Sequence, residues 1–161
     1  MKKIKVAIMM GSKSDLPVME ESAKVLNDFG VANEMRVLSA HRTPKETAEY
    51  AEGLKDRGVS VVICGAGASA ALSGVVSAHT IIPVIGVPID STALNGMDAL
   101  LSTVQMPPGV PVGAVAVGKG GAKNAALLAL RIMSLSDKAI EKKLEEFKEN
   151  QRKQILDINL S

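Results

Sequence analysis

A chain of 161 residues is long enough to bury one domain's core, and 47% of this one is apolar, which excludes a disordered protein. Aromatic residues make up only 2%, with no Trp, so the core must be built from Val, Ile, Leu, Ala and Met, and RNA recognition by base stacking is not provided for. The formal net charge of +2 is too small to mark a nucleic-acid or membrane surface.

The N-terminal "MKKIKVAIMMGSKSD" puts basic residues before an apolar run that is too short for a signal peptide and leads straight into the fold, so a cytoplasmic protein is expected. That run, 5–10, is the first of five predicted strands, followed by 32–39, 60–65, 83–88 and 112–117. Most are continuously apolar rather than alternating, as parallel strands covered on both faces are. Helices are predicted between them, over roughly 16–29, 44–57, 69–79, 96–105 and 121–135. This alternation predicts an α/β fold, a doubly wound parallel sheet with helices on both faces. From about 137 a long amphipathic helix follows, with Ile140, Leu144, Phe147 and Ile155 on one stripe. No repeat or linker divides the chain, so one domain over 1–161 is expected, with a core of 4–135 and a helical extension of 136–161. Cys64, the only cysteine, lies in "VVICGAG"; no disulfide can form within the chain, and a buried, inert thiol is expected.

Charge is uneven. Between Gly58 and Gly118 the only formal charges are Asp90 and Asp98. Glycine and proline interrupt this stretch too often for a membrane span of about 20 residues. Its helices lack the charged faces a monomer needs, which predicts burial against other copies of the chain.

In doubly wound sheets, ligands bind where strands end and helices begin. Three clusters fall there. "GSKSD" offers Gly11 for close backbone approach, Ser12 and Ser14 for phosphate oxygens, and Asp15 for sugar hydroxyls; plain helix capping is the alternative for Ser14 and Asp15. In "SAHRTPKE", Thr43, Pro44 and Glu46 predict a capping box that opens a helix. His41 and Arg42 then stand on the rim, the first suited to moving protons near neutral pH and the second to gripping a phosphate or carboxylate. "GAGASA" mimics a dinucleotide fingerprint but sits in the third strand-helix unit, so a small-residue wall lying close to a ligand is the better reading. "GAVAVGKGG" is no P-loop, because Gly120 stands where Ser or Thr is needed. His79 is expected to be structural or interfacial. Asp90 and Asp98 flank "STALNGM", a loop that could close over a site. No Cys/His cluster has metal-ligand spacing, and no G-x-S-x-G is present.

Taken together and in order, "MGSKSD", "SAHRTP", "GAGASAALSG", "PVIGVP" and "LLSTVQMPPGVPVGAVAVGKGGAKNAALLA" closely resemble the N5-carboxyaminoimidazole ribonucleotide mutase family of purine biosynthesis, from about residue 4 to 135. The resemblance implies a flavodoxin-like three-layer fold with a five-stranded parallel sheet and a long C-terminal helix, assembled as a homo-octamer. It implies an isomerase that moves a carboxylate from N5 to C4 of the aminoimidazole ring through released CO2, with no metal, biotin or nucleotide cofactor. Carried over by motif, His41 is the proton shuttle. Arg42 and Ser12 face the phosphate, and Asp15 faces the ribose. Ser39 and the Ala66–Gly67 backbone line the same pocket, and Gly11, Ser14 and Leu72 are expected among the substrate-binding residues.

Two positions depart from the pattern. Ala71 and Ser73 stand where the mutases usually carry His and Pro, and Leu72–Ser73–Gly74 is shared with the related class that carboxylates aminoimidazole ribonucleotide with free CO2. That direct carboxylase is the alternative reading. A non-catalytic flavodoxin-like module is the remote one; a receiver needs an acidic cluster where "CGAGA" ends the third strand, and a flavin carrier needs aromatics.

Overall fold

Burial on both faces makes parallel strands of the first, third and fourth apolar runs, while the second is half-buried and ends exposed at Val37 and the fifth lies open at the sheet's edge. In the computed structural model, which describes residues 5–159, these are β1 (Val6–Met10), β2 (Asn33–Val37), β3 (Val61–Gly67), β4 (Val84–Ile89) and β5 (Gly113–Ala114). They form one five-stranded sheet in the order β2-β1-β3-β4-β5, every pair parallel. The helices are α1 (Leu16–Asp28), α2 (Pro44–Glu52), α3 (Leu72–Ala78), α4 (Met97–Val104), α5 (Gly118–Ser134) and α6 (Lys138–Leu156). The doubly wound, flavodoxin-like architecture expected from the sequence is what forms. The expected outer bounds at residues 4 and 161 lie outside the described residues. Among the described residues, no helix is long and apolar enough to cross a membrane.

Side chains alternate across the sheet and feed two cores. Val6, Ile8 and Met10 of β1 point to the layer of α1 and α5, where Met19, Leu26 and Leu130 are buried with them. Ala7 and Met9 point the other way, onto Ala51, Leu54, Leu72 and Val76. Four buried alanines of α5 (Ala122, Ala125, Ala126, Ala129) let α1 and α5 come close. The buried Ser22 hydroxyl donates to the Ala122 carbonyl at 2.6 Å across that seam.

Besides shifts of two or three residues at the ends of β2, β3, α3 and α5, three elements differ from the sequence expectation. The last strand shrinks from 112–117 to two residues. It is a sheet edge, and Gly113 brings no side chain to pack while Pro111 brings no N–H. The second helix ends at Glu52 rather than 57, because Gly53 closes it and the chain turns through Gly58 at φ +78°. On α6, Ile140 and Leu144 are buried and Phe147 meets Phe29 edge-on at 5.9 Å, but Ile155 is 69% exposed. The buried stripe stops at Phe147; Ile155 is not part of it, because the outer half of α6 has no element beneath it.

The first turn of α5 is packed tightly enough to test. A Cβ at Gly121 would overlap the Ala116 carbonyl, which is backbone and cannot swing aside. Gly121→Ala is expected to cost about 3 kcal/mol, seen as a Tm lower by roughly 10 °C in thermal denaturation. An unchanged Tm would contradict this packing.

Candidate active site

Because the strands are parallel, the loops after β1, β2, β3 and β4 all emerge at one edge of the sheet. The first is organised by its own capping. Ser12 caps the short 3-10 turn Lys13–Asp15, accepting from the Ser14 N–H at 3.3 Å and the Ser14 hydroxyl at 2.8 Å. In return, the Ser12 N–H donates to Asp15 Oδ2 at 3.0 Å. This is the reciprocal capping box that the sequence placed at Thr43 and Glu46. Thr43 does precede α2, but its side chain caps nothing. Its hydroxyl instead accepts from the Ser39 N–H at 2.8 Å and donates to the Ser39 carbonyl at 3.1 Å, folding 39–43 into a closed loop.

That closed loop carries the two rim residues. Arg42 reaches back over the sheet edge: its Nη2 donates to the Gly11 carbonyl at 2.8 Å and its Nε to Ser39 Oγ at 3.4 Å. One guanidinium thus ties the first loop to the second, and since it has five N–H donors, three remain for a ligand. His41, its neighbour, is exposed and has no hydrogen-bond partner among the described residues. The contrast with His79 is direct, since His79 Nδ1 lies 3.0 Å from Glu52 Oε1 at the opposite end of the strands.

A cavity of about 310 Å³ opens between the loops. All ten residues singled out in the sequence line it: Gly11, Ser12, Ser14, Asp15, Ser39, His41, Arg42, Ala66, Gly67 and Leu72. Five more were not singled out: Ala40, Ala68, Ser69, Ala71 and Ser91. Ala71 was noticed only as a departure from a motif. Ser91 carries no motif at all; its one signal was its place at the start of "STALNGM", just after a strand. Volume alone does not select this site, since a cavity of about 600 Å³ surrounds His79 and Ile81. That one sits at the amino ends of the strands, where no loop carries a comparable cluster.

The cavity is electrostatically divided. Asp15 is 5% exposed, and burial pushes its carboxyl above the ordinary range against the opposing pull of the Ser12 and Gly11 N–H groups, the Ser14 hydroxyl and the Arg42 charge. The β3 side is uncharged and mostly apolar, lined by Ala66, Gly67, Ala71 and Leu72 beside Ser69, with Ala68 held at φ +54°, a left-handed conformation that costs an alanine about 1 kcal/mol. Cys64 lies beneath, fully buried, and burial alone raises its thiol, so it is inert as expected.

A carboxyl raised by burial favours folding in its neutral form. Its contribution is fully present below the ordinary value of 3.8 and is lost as pH rises through the raised folded value. Asp15→Asn keeps an acceptor for the Ser12 N–H, so it is expected to melt above the unsubstituted protein at pH 7, with the gap closing as the pH falls toward 4. A gap that is constant or widens in acid contradicts this.

Comparison with known proteins converges on one family and on this fold. The family model described as AIR carboxylase matches residues 5–154. The chain is 59% identical over 149 residues to the N5-carboxyaminoimidazole ribonucleotide mutase of Pyrococcus abyssi, covering 92% of this chain and 84% of that one. It is 50% identical over 152 residues to the Bacillus subtilis protein of the same name, covering 94% of each. The crystal structure of Treponema denticola PurE superposes with a TM-score of 0.85 at 35% identity, over 94% of this chain and 93% of that one. The chain belongs to the AIR carboxylase family.

Proposed function

We propose that this protein is an isomerase of purine biosynthesis that converts N5-carboxyaminoimidazole ribonucleotide to 4-carboxyaminoimidazole ribonucleotide, the reaction carried in the names of its relatives. The observation that carries the reading is the pairing on one loop of a fixed cation and a free base: Arg42 anchored to Gly11 and Ser39, and His41 beside it with no partner. The Arg42 guanidinium and the Ser12, Ser14 and Ser39 hydroxyls hold the phosphate. The buried Asp15 accepts from the ribose hydroxyls, which replaces water it has already lost.

The chemistry then needs one proton moved twice. As the N5–carboxylate bond breaks and CO2 leaves, His41 gives a proton to N5. C4 attacks the CO2, and His41 takes the proton that C4 must shed. The carboxyl carbon and the proton are both returned, so the scheme calls for no cofactor. CO2 is uncharged and would escape an open site; Ala66, Gly67, Ala71 and Leu72 give it small apolar walls. Ala71 and Ser73 are tolerated departures in this reading, which relatives sharing 50–59% identity and the mutase name favour over direct carboxylation.

An octamer in the cytoplasm completes the proposal. Met97, Leu101 and Val104 form an exposed apolar row on α4, continued by Leu94, in the stretch that carries almost no charge. Light scattering that gives the mass of eight chains supports it, and a monomer removes it.

The test follows product from two starting mixtures without ATP or added metal: N5-carboxyaminoimidazole ribonucleotide at low bicarbonate, and aminoimidazole ribonucleotide at high bicarbonate. Rapid product only from the first is expected; efficient product from the second would make the protein a direct carboxylase. His41→Asn is expected to lose about a hundredfold or more in kcat, and Arg42→Ala to raise KM about tenfold or more. Near-normal turnover by a folded His41→Asn protein removes His41 from the mechanism.

A further inference from the structure

The loop between β4 and α4 has no part in the scheme above, yet it reaches the cavity and is built to stay there. Ser91 lines the pocket opposite Arg42. A Cβ on Gly67 would overlap the Ser91 Oγ, so the serine hydroxyl lies directly on the end of β3 and the glycine makes room for it. No hydrogen bond holds that hydroxyl among the described residues.

Its neighbours are held firmly. The Thr92 hydroxyl donates to Asp98 Oδ2 at 2.7 Å and accepts from the Leu94 N–H at 3.1 Å. Asp98 lies in the first turn of α4, where its other oxygen accepts from the Ala99 N–H at 2.9 Å. The loop turns through two left-handed residues, Asn95 at φ +50° and Gly96 at φ +81°. Gly96 is pressed against the Val117 side chain, so a Cβ there would collide. The result is a serine hydroxyl left unpaired at the start of a loop whose next residue is clamped to a helix.

Position says which part of a ligand it meets. Arg42 follows β2 and Ser91 follows β4, with β1 and β3 between them. Three strand spacings are roughly 14 Å, the scale of a nucleotide laid from phosphate to ring. With the phosphate at Arg42, the end near Ser91 is the aminoimidazole, which offers amino N–H groups and a ring-nitrogen lone pair to a hydroxyl able to accept and donate.

We propose that Ser91 is a substrate-contacting residue at the ring end of the pocket, and that Thr92 and Asp98 are the positioning pair that holds it over β3. The inference rests on the ribonucleotide reading above. It is tested by calorimetric titration of the full chain with two ligands, aminoimidazole ribonucleotide and ribose 5-phosphate, which lacks the ring. Ser91→Ala is expected to weaken the nucleotide about five- to tenfold and ribose 5-phosphate less than twofold. Thr92→Val should show part of the same selective loss, and Thr92→Ser, which keeps the hydroxyl, should restore it. Ser91→Ala binding both ligands as the unsubstituted protein does, or losing both equally, overturns the contact. Thr92→Val with unchanged selectivity overturns the positioning role. Unsubstituted protein that binds neither ligand brings down the ribonucleotide reading itself, and this inference with it.

Discussion

Parallel pairing is the constraint on which the rest depends. Because β1 to β5 run the same way, each strand delivers its following loop to one edge, and residues far apart in the chain meet there without further provision. Gly11 and Ala66 become neighbours through the register that pairs Met10 with Gly65, and the Gly11 N–H continues it to the Gly65 carbonyl at 3.3 Å. The price of such a sheet is that both faces must be covered closely. Small residues solve this where helices cross strands: a Cβ at Gly65 would run into Met19, and one at Gly86 into Thr103. The same economy of side chain reaches the rim at Gly67, where it admits Ser91, so packing and site construction use one device.

On that rim the polar groups are settled mostly among themselves before any ligand arrives. Ser12, Ser14 and Asp15 satisfy one another, Thr43 satisfies Ser39, and Arg42 joins the two loops. Preorganisation of this kind lowers the ordering cost of binding. The exceptions carry the chemistry. His41, Ser69 and Ser91 line the pocket with polar side chains that have no partner among the described residues.

Much of this was legible in the sequence, for a physical reason. Strands buried on both faces leave continuous apolar runs, and loops that bear a site leave polar or glycine-rich breaks just after them. Most of the sheet and the residues Gly11, Ser12, Ser14, Asp15, His41 and Arg42 could therefore be read directly, while Ser39, Ala66, Gly67 and Leu72 came from the family resemblance. What failed was decided by contacts between distant or competing partners. Thr43 has the sequence of a helix cap, but the nearer Ser39 backbone took its hydroxyl. Ile155 continues an apolar period that no other element is long enough to cover. Ala68 gives no hint of a positive φ, because alanine has no preference for one, and the turn into α3 imposes it. Ser91 is a single serine whose meaning comes only from Gly67, twenty-four residues earlier.

The central claim is that one cavity holds the whole nucleotide, with its phosphate at Arg42 and its ring toward β3 and β4. A crystal structure of the protein with aminoimidazole ribonucleotide bound tests it most directly. The account predicts phosphate within hydrogen-bond distance of Arg42, Ser12 and Ser39, ribose hydroxyls on Asp15, and the ring between His41 and the Ala66–Gly67 backbone. Nucleotide seated elsewhere, or reversed with its ring on Arg42, would contradict it.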